Sequence, residues 1–270
     1  SANLSPEGNM YVGNNKRQKV MLRPSISYNN KIGLHDIGAL FLYEQKKENS
    51  SSFSGSRKDF DIFDLPELNF GDAATAIING SSGKSAYAGY VGRLNYAYDN
   101  KYLVEASFRY DGSYLFAEGQ RWGFFPSVSL GWVASEEDLF PKIDYFKLRG
   151  SVGILGNDNV DPFLYRKLYE LNSNNVAFGT SPSSQSTLSN KVAYPMTDLT
   201  WEKCRTINLG FEMNAWNGLL GVEFDVFYKY TYDILQNITS IYPASLGGHV
   251  PTRMNDGTFD NKGFELILKH

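Results

Sequence analysis

The residues of this chain that could carry out covalent chemistry are few and widely separated. His35, His249 and His270 are the only histidines, and no catalytic or metal-ligand spacing joins them to each other or to a serine or an acid. The string Gly83-Lys84-Ser85 matches the end of a phosphate-binding loop. Ile78, however, stands where that motif needs a glycine, and a strand pattern follows where it needs a helix. The sequence therefore predicts no enzyme, no cofactor and no catalytic or metal-binding residue.

Oxygen ligands for a hard cation occur close together at one place. Asp158, Asn159 and Asp161, in the string GNDNVDP, could coordinate calcium in a surface loop, although the full calcium-loop pattern is not met. The alternative is that these side chains cap turns ahead of Pro162.

Charged residues alternate with apolar ones in two successive segments. Arg93 lies in the first segment, and Glu105, Arg109 and Asp111 lie in the second. Residues two apart in a strand share a face, so these four are predicted to face a polar lumen, where opposite charges pair across strands. Direct contact with a transported substrate is the alternative role.

Aromatic rings in the irregular stretches are candidate ligand contacts. Tyr114, Phe116, Tyr165, Tyr169 and Phe178 could each stack on a sugar ring. The alternative is that the loops pack these rings against themselves.

About nine strands carry these residues, because apolar and polar side chains alternate through nine segments. The segments are Lys19–Tyr28, Asp36–Glu44, Ser85–Tyr98, Tyr102–Asp111, Phe124–Trp132, Phe146–Ile154, Trp201–Met213, Leu220–Tyr232 and one beginning near Phe264. Most are close to the roughly 9 to 11 residues that a tilted strand needs to cross a bilayer. The predicted architecture is an all-β, antiparallel, up-and-down transmembrane β-barrel, of which this chain is a segment.

The apolar face of these strands is predicted to face lipid, and aromatic residues cluster at the strand ends, as in an interfacial girdle. The predicted outer set is Tyr90, Leu94, Tyr96, Val104, Phe108, Val128, Leu130, Leu209, Phe211, Val222, Phe224 and Val226.

The connections alternate between short and long. Gln45–Lys84 and Leu155–Asp198 are predicted to be long loops at one end of the sheet. Asp99–Asn100, Ser135–Asp144 and Asn217–Gly218 are predicted to be short links at the other end.

The composition excludes several classes of function. A formal net charge of -3 provides no basic surface for nucleic acid. Cys204 is the only cysteine, so no disulfide can form within the chain. No apolar run is long enough for a membrane helix, and the opening residues SANLSPEGNM do not resemble a signal peptide. We therefore expect that a signal was removed or that the chain begins within a longer protein.

Five blocks of the sequence resemble SusC/RagA-type TonB-dependent outer-membrane transporters. They are Gly92–Asp111 (GRLNYAYDNKYLVEASFRYD), Arg121–Trp132 (RWGFFPSVSLGW), Leu148–Asn157 (LRGSVGILGN), Leu199–Leu235 (beginning LTWEKCRTINLGFEM) and Asn261–Leu266 (NKGFEL). They occur in the same order as in the C-terminal part of that family's barrel, so the resemblance covers most of the chain from about Ser85 onward.

The resemblance implies a function and a set of partners. It implies import of oligosaccharides or peptides across the outer membrane of a Gram-negative bacterium, in contact with outer-membrane lipid. The implied partners are a SusD-like surface lipoprotein and, through a missing N-terminal part, the TonB complex. The family's barrel has about 22 strands and encloses a plug domain. Residues 1–270 are therefore expected to form a partial barrel domain without the plug.

Two other classes of protein fit parts of the pattern. One is a soluble or surface-tethered β-sandwich that binds glycans, which would bury its apolar face against a second sheet. The other is a β-rich hydrolase, which would need a pair of carboxylates facing one cleft.

Overall fold

The computed structural model describes residues 2–4, 8–60, 67–137, 143–167, 169–172, 187–190, 194–238, 241–243, 245 and 250–270. The chain divides into two compact units: residues 1–23 with 44–87, and residues 24–43 with 88–270. Within the described ranges, no helix has the length and apolar character needed to cross a membrane.

Strands make up most of both units. They are β1 (Ala2–Leu4), β2 (Met10–Leu22), β3 (Ser25–Ile32), β4 (His35–Arg57), β5 (Ile77–Tyr98), β6 (Tyr102–Ser113), β7 (Trp122–Val133), β8 (Ile143–Asn157), β9 (Tyr169–Asn172), β10 (Thr187–Asn190), β11 (Glu202–Ala215), β12 (Leu220–Asn237) and β13 (Arg253–Lys269). Single turns of 3₁₀ helix cover Leu68–Phe70, Ala73–Thr75 and Ala134–Glu137. The two units share β4 and β5, each unit holding one segment of each strand.

The first unit corrects the prediction of a long loop over Gln45–Lys84. β4 continues to Arg57 and β5 begins at Ile77, so much of the predicted loop is strand. Hydroxyl groups hold these two strand segments together, as in the contact of 2.6 Å between the Ser52 and Ser81 Oγ atoms. A strand that is polar on both faces shows no apolar period, which is why the alternation rule misses it.

The predicted strand Lys19–Tyr28 is also corrected, because it is interrupted at Pro24. β2 ends at Leu22 and β3 begins at Ser25. Proline has no backbone N–H to donate to a neighbouring strand. Its carbonyl still accepts a hydrogen bond from the Tyr43 backbone N–H, with an N···O distance of 3.1 Å.

The second unit is an antiparallel meander in the spatial order β3, β4, β5, β6, β7, β8, β11, β12, β13. These nine strands correspond to the nine predicted segments and confirm the up-and-down connection, whereas β1, most of β2 and the β9–β10 pair were not predicted. β9 and β10 pair only with each other among the described residues, and they lie within the link between β8 and β11.

One face of this meander carries the predicted outer residues. Cross-strand register brings Val104, Leu130, Gly150, Leu209 and Val226 into one row across β6, β7, β8, β11 and β12. Directly opposite residues in an antiparallel sheet point to the same side. Leu130 is 58% exposed and Leu209 is 64% exposed, so the described chain leaves this face uncovered.

Aromatic residues border this apolar face at both strand ends. Tyr102 lies opposite Trp132 at one end, and at the other end the rings of Tyr110 and Trp122 stack with centroids 4.9 Å apart. Tyr110 lies eight residues after Tyr102 along β6, which corresponds to about 27 Å of strand. Tilted by about 35–45°, a strand of that length rises about 19–22 Å across the membrane, close to the apolar band of roughly 25 Å found on membrane barrels.

The short links meet at one end of the sheet, which we call the turn end. The Asp99 N–H donates to the Leu34 carbonyl at 2.7 Å, and the Gly218 N–H donates to the Asp144 carboxylate at 3.1 Å. Asp99 and Asn100 both have positive φ, as a tight two-residue hairpin requires. A hydrogen bond with Asp99 raises the pKa of Lys101 in this turn. The predicted grouping of Asp99–Asn100, Ser135–Asp144 and Asn217–Gly218 is confirmed.

Two substitutions on adjacent residues of β7 test which face meets lipid. We expect Leu130→Arg to destabilise the full-length barrel by about 2–4 kcal/mol, because the charge would lie near the bilayer centre. Ser129→Arg is the matched control: it points to the polar face, opposite Glu105, and should change stability little. Urea unfolding in lipid vesicles measures both effects. Equal destabilisation by the two variants would contradict the assignment of faces.

Candidate functional site

The polar face of the second unit is held together by an ion network that spans three strands. The Arg149 guanidinium on β8 pairs with Glu212 on β11 and with Asp225 on β12. Its Nε also lies 3.2 Å from the Asp225 Oδ1. Both carboxylates are partly buried, and the network ties β8, β11 and β12 together on the polar face.

Gly210 makes the contact between Arg149 and Asp225 possible. It lies on β11, directly between these two residues in the register. A Cβ at this position would be 2.2 Å from the Asp225 Oδ1 and 2.7 Å from the Phe224 carbonyl oxygen. Only a residue without a side chain lets β8 and β12 interact across the strand between them.

The four residues predicted to face the lumen lie on this sheet, and the contact between two of them is within one strand. Arg109 and Asp111 form a two-point ion pair within β6, with N···O distances of 2.9 and 3.1 Å. Glu105 lies opposite Ser129, and Arg93 is exposed. The sequence did not predict the Arg149 network. Spacing within one strand does not show which residues of the neighbouring strands lie beside a given side chain.

A cavity of about 530 Å³ lies on the polar face of the meander. Its polar lining includes Asp36, Asn95, Glu105, Lys147, Arg149 and Asn208. The side-chain oxygens of Asn95 and Asn208 are buried, and no donor reaches either of them within the described part of the chain. The cavity thus carries both signs of charge, from Asp36 and Glu105 and from Lys147 and Arg149, which suits hydrated or polar ligands.

The long links meet at the opposite end of the sheet, which we call the loop end. The links after β6 and β8 are joined there by the Tyr165 hydroxyl, which donates to the Tyr114 carbonyl at 3.4 Å. The start of β13 joins the same end through an Arg253–Asp161 ion pair of 2.8 Å. The link over Leu155–Asp198 therefore leaves the sheet opposite the turn end, as predicted.

A buried cluster organises the loop end. Its members are Phe116, Phe125, Met196, Leu199 and Trp201. Trp201 is 4% exposed, its ring centroid lies 5.2 Å from that of Phe125, and its Nε1–H donates to the Arg121 carbonyl at 3.2 Å. The cluster joins the β6–β7 link and the β8–β11 link to β7 in one packed unit, so the loops are positioned by a small core of their own.

Asn255 joins β13 to the segment before β11. Its side-chain oxygen accepts from the Thr200 N–H at 3.0 Å, and its amide donates to the carbonyls of Thr200 and Asp233 at 3.0 and 2.7 Å. Asp233 has a positive φ and sits at an irregularity in the pairing of β12 with β13. Asn255 therefore satisfies backbone groups that the sheet itself leaves unpaired.

The structure separates the five aromatic candidates. Phe116 is 2% exposed and fills the loop-end core, so it offers no free ring face and is dropped as a ligand contact. Tyr114 and Tyr165 are half-buried and touch each other through the hydrogen bond described above. The side chain of Tyr169 and all of Phe178 lie outside the described residues.

Of the three possible calcium ligands, the Asp161 carboxylate is engaged within the protein, because it pairs with Arg253 at 2.8 Å. The Asn159 backbone N–H donates to the Asn157 side chain at 3.2 Å, which is an Asx turn of the kind weighed as the alternative to calcium binding.

The contact across β11 can be tested at Gly210. We expect Gly210→Ala to destabilise the full-length protein by about 1–3 kcal/mol, because the new methyl group collides with a backbone carbonyl that cannot move aside. Gly80→Ala is the control, since its Cβ would meet its nearest neighbour at 3.7 Å. Thermal unfolding of the purified variants measures both, and an unaffected Gly210→Ala protein would show that the network is not tightly packed.

Comparison with known proteins identifies the family. The family model "TonB dependent receptor-like, beta-barrel" matches residues 5–269. The TonB-dependent receptor SusC of Bacteroides thetaiotaomicron is 32% identical over 189 residues, which cover 68% of this chain and 18% of SusC. The TonB-dependent receptor P26 of Formosa agariphila is 34% identical over 184 residues, covering 67% of this chain and 18% of that receptor.

A solved structure shows the same fold. The RagAB peptide importer in its closed-closed state superposes with a TM-score of 0.84 at 23% identity, covering 96% of this chain and 28% of that chain. The chain thus spans less than a fifth of the length of the two receptors named above. Its lipid-facing band, its polar inner face and these matches lead to one conclusion: the chain belongs to the TonB-dependent receptor family and forms part of an outer-membrane β-barrel of the SusC/RagA type.

Proposed function

We propose that this chain is a sector of the wall of a transporter that imports nutrients, either oligosaccharides or peptides, across the outer membrane in a TonB-dependent manner. The observation that carries the proposal is the contrast between the two faces of the meander. An apolar band bordered by aromatic rows faces outward, and an ion network with a polar cavity lies on the other side.

The polar side and the loop end have different roles in this proposal. The polar side lines the lumen and contacts the plug domain or the hydrated substrate that passes it. The packed loop end forms part of the outer opening, where a SusD-like surface lipoprotein delivers substrate. TonB supplies energy through the plug, and no covalent step is involved.

The β-sandwich alternative is wrong, because a sandwich requires its apolar face to be buried against a second sheet. In the described residues that face is not covered by a second sheet: Leu130, Leu209 and Val226 are exposed, and Phe211 and Phe224 are half-buried.

Uptake by cells tests the proposed function. Deleting the gene for the full-length receptor should abolish import of at least one labelled oligosaccharide or peptide, and a plasmid copy should restore it. Collapsing the proton gradient should block import in the restored strain, because TonB-dependent transport draws on that gradient. Unchanged uptake of both substrate classes after deletion would refute the proposal.

Residues 1–270 alone should not form a conducting channel. β13 pairs only with β12 among the described strands, so its other edge presents unpaired N–H and C=O groups that cost several kcal/mol each in hydrocarbon. We expect purified residues 1–270, reconstituted in planar bilayers, to give no discrete ion conductance. Stable single-channel steps from this segment alone would show that it closes by itself.

A further inference from the structure

Arg166, at the loop end, holds a positive charge that no described acid neutralises. Its guanidinium carbon lies 5.3 Å from the centroid of the Phe163 ring and 5.6 Å from that of Tyr165. Within the part of the chain that the structure describes, no carboxylate comes within ion-pair distance of it. Among the described residues, the contacts of the guanidinium are those with the two rings, and no described carboxylate pairs with its N–H groups.

The local distribution of charge keeps this site positive. Asp161, the nearest acid before Arg166 in the sequence, is engaged by Arg253 at 2.8 Å. Lys167, the next residue, is exposed and adds a second positive charge. The described side chains at this turn are therefore two cations and one acid that is already paired. The side chain of Glu170, the nearest acid after Arg166 in the sequence, lies outside the described residues.

The turn that carries Arg166 is firmly anchored despite a strained backbone. Phe163 has a φ of +66°, which is rare for a bulky residue and is often found at binding sites. The Arg166 N–H donates to the Phe163 carbonyl at 2.9 Å, and the Leu164 carbonyl accepts from the Met196 N–H at 3.0 Å. Leu164 also packs against the loop-end core. The reversal at Phe163 thus places Leu164 inward and leaves Phe163 36% exposed.

Neighbouring aromatic residues hold the ring of Phe163 in place. It meets the Tyr114 ring edge-on, with centroids 6.2 Å apart, and Tyr114 in turn receives the hydrogen bond from Tyr165. The cluster Tyr114, Phe163, Tyr165 and Arg166, which we call the Arg166 cluster, is therefore preorganised before any ligand arrives.

We propose that the Arg166 cluster binds a carboxylate group of the imported nutrient. The planar guanidinium suits two-point hydrogen bonding to a carboxylate, and the exposed ring of Phe163 offers contact to the carbon atoms beside that group. Two sources share this chemistry: an acidic or C-terminal carboxylate of a peptide, and a uronic acid unit of an oligosaccharide. The inference rests on the proposed import function and names a substrate feature within it.

The experiment uses the full-length receptor and two matched pairs of probes. One pair is a tetra-alanine peptide with a free C-terminal carboxylate and the same peptide with a C-terminal amide. The other is a galacturonic acid trimer and a galactose trimer. Calorimetry gives the dissociation constant of each probe for the wild-type receptor, for Arg166→Gln and for Lys167→Gln, which removes an equal charge from the adjacent exposed position.

We expect at least one carboxylate probe to bind the wild type about tenfold or more tightly than its neutral counterpart. Arg166→Gln should remove that preference, weakening the carboxylate probe about 10- to 100-fold, as for a lost charged hydrogen bond. Lys167→Gln removes a charge that attracts the anion only through water, so it should weaken the carboxylate probe about twofold and retain the preference. Arg166→Lys, measured in the same way, should keep only part of the preference. An unchanged melting temperature of each variant confirms that the barrel is intact.

Two results would overturn the inference: no preference for either carboxylate probe in the wild type, or a preference that survives Arg166→Gln. Either result leaves the proposed import function standing if the gene deletion still abolishes uptake. Loss of the import function itself would appear in that deletion experiment, so the two failures can be told apart.

Discussion

The backbone's need for hydrogen-bond partners in hydrocarbon is the constraint on which this architecture depends. An unpaired N–H or C=O group costs several kcal/mol there, so strands can cross only when each pairs with a neighbour on either side. Short hairpins at the turn end supply such neighbours in sequence order. Once the register is set, alternation places one set of side chains toward lipid and the other toward the lumen. The row from Val104 to Val226 is a direct consequence of that register.

The same constraint leaves the polar face free to carry function. Pairing of the backbone supports the wall, so the lumen side chains need not form a hydrophobic core. Arg149, Glu212 and Asp225 use this freedom to join three strands, and the absence of a side chain at Gly210 makes room for them. At the loop end, where strands no longer restrain the chain, the core around Trp201 and the amide of Asn255 hold the links together. The links at the loop end can then present side chains such as Arg166 from a packed base.

The membrane-crossing part of the fold can be predicted from the sequence because it obeys a period of two. The strands from Tyr102 to Ile154 and from Trp201 to Tyr232 show that period clearly, and their outer residues could be named in advance. The polar extension of β4 and β5 could not, since neither of its faces is apolar. Pro24 could have been taken as a break, because proline cannot donate to a ladder.

The site was less predictable for a physical reason. Arg109 and Asp111 were correctly grouped on one face, but pairing of Arg149 with Asp225 depends on contacts between residues 76 positions apart in the chain. Burial of Phe116 likewise depends on Met196 and Trp201, which arrive from a different link. The sequence shows that aromatic residues occur in the loops, whereas only the packed structure shows which of their rings are buried in the core.

The central claim is that the two faces of this sheet meet lipid and water respectively, and accessibility along one strand tests it most directly. Cys204 is replaced by serine in the full-length receptor, and single cysteines carrying spin labels are placed at successive positions from Ser127 to Trp132 on β7. Relaxation by oxygen, which dissolves in lipid, is compared with relaxation by a water-soluble nickel complex. The account predicts a period of two, with oxygen dominating at Val128 and Leu130 and the nickel complex dominating at Ser127 and Ser129. Two results would contradict the account: equal accessibility at neighbouring positions, or a period of two in which the nickel complex dominates at Val128 and Leu130.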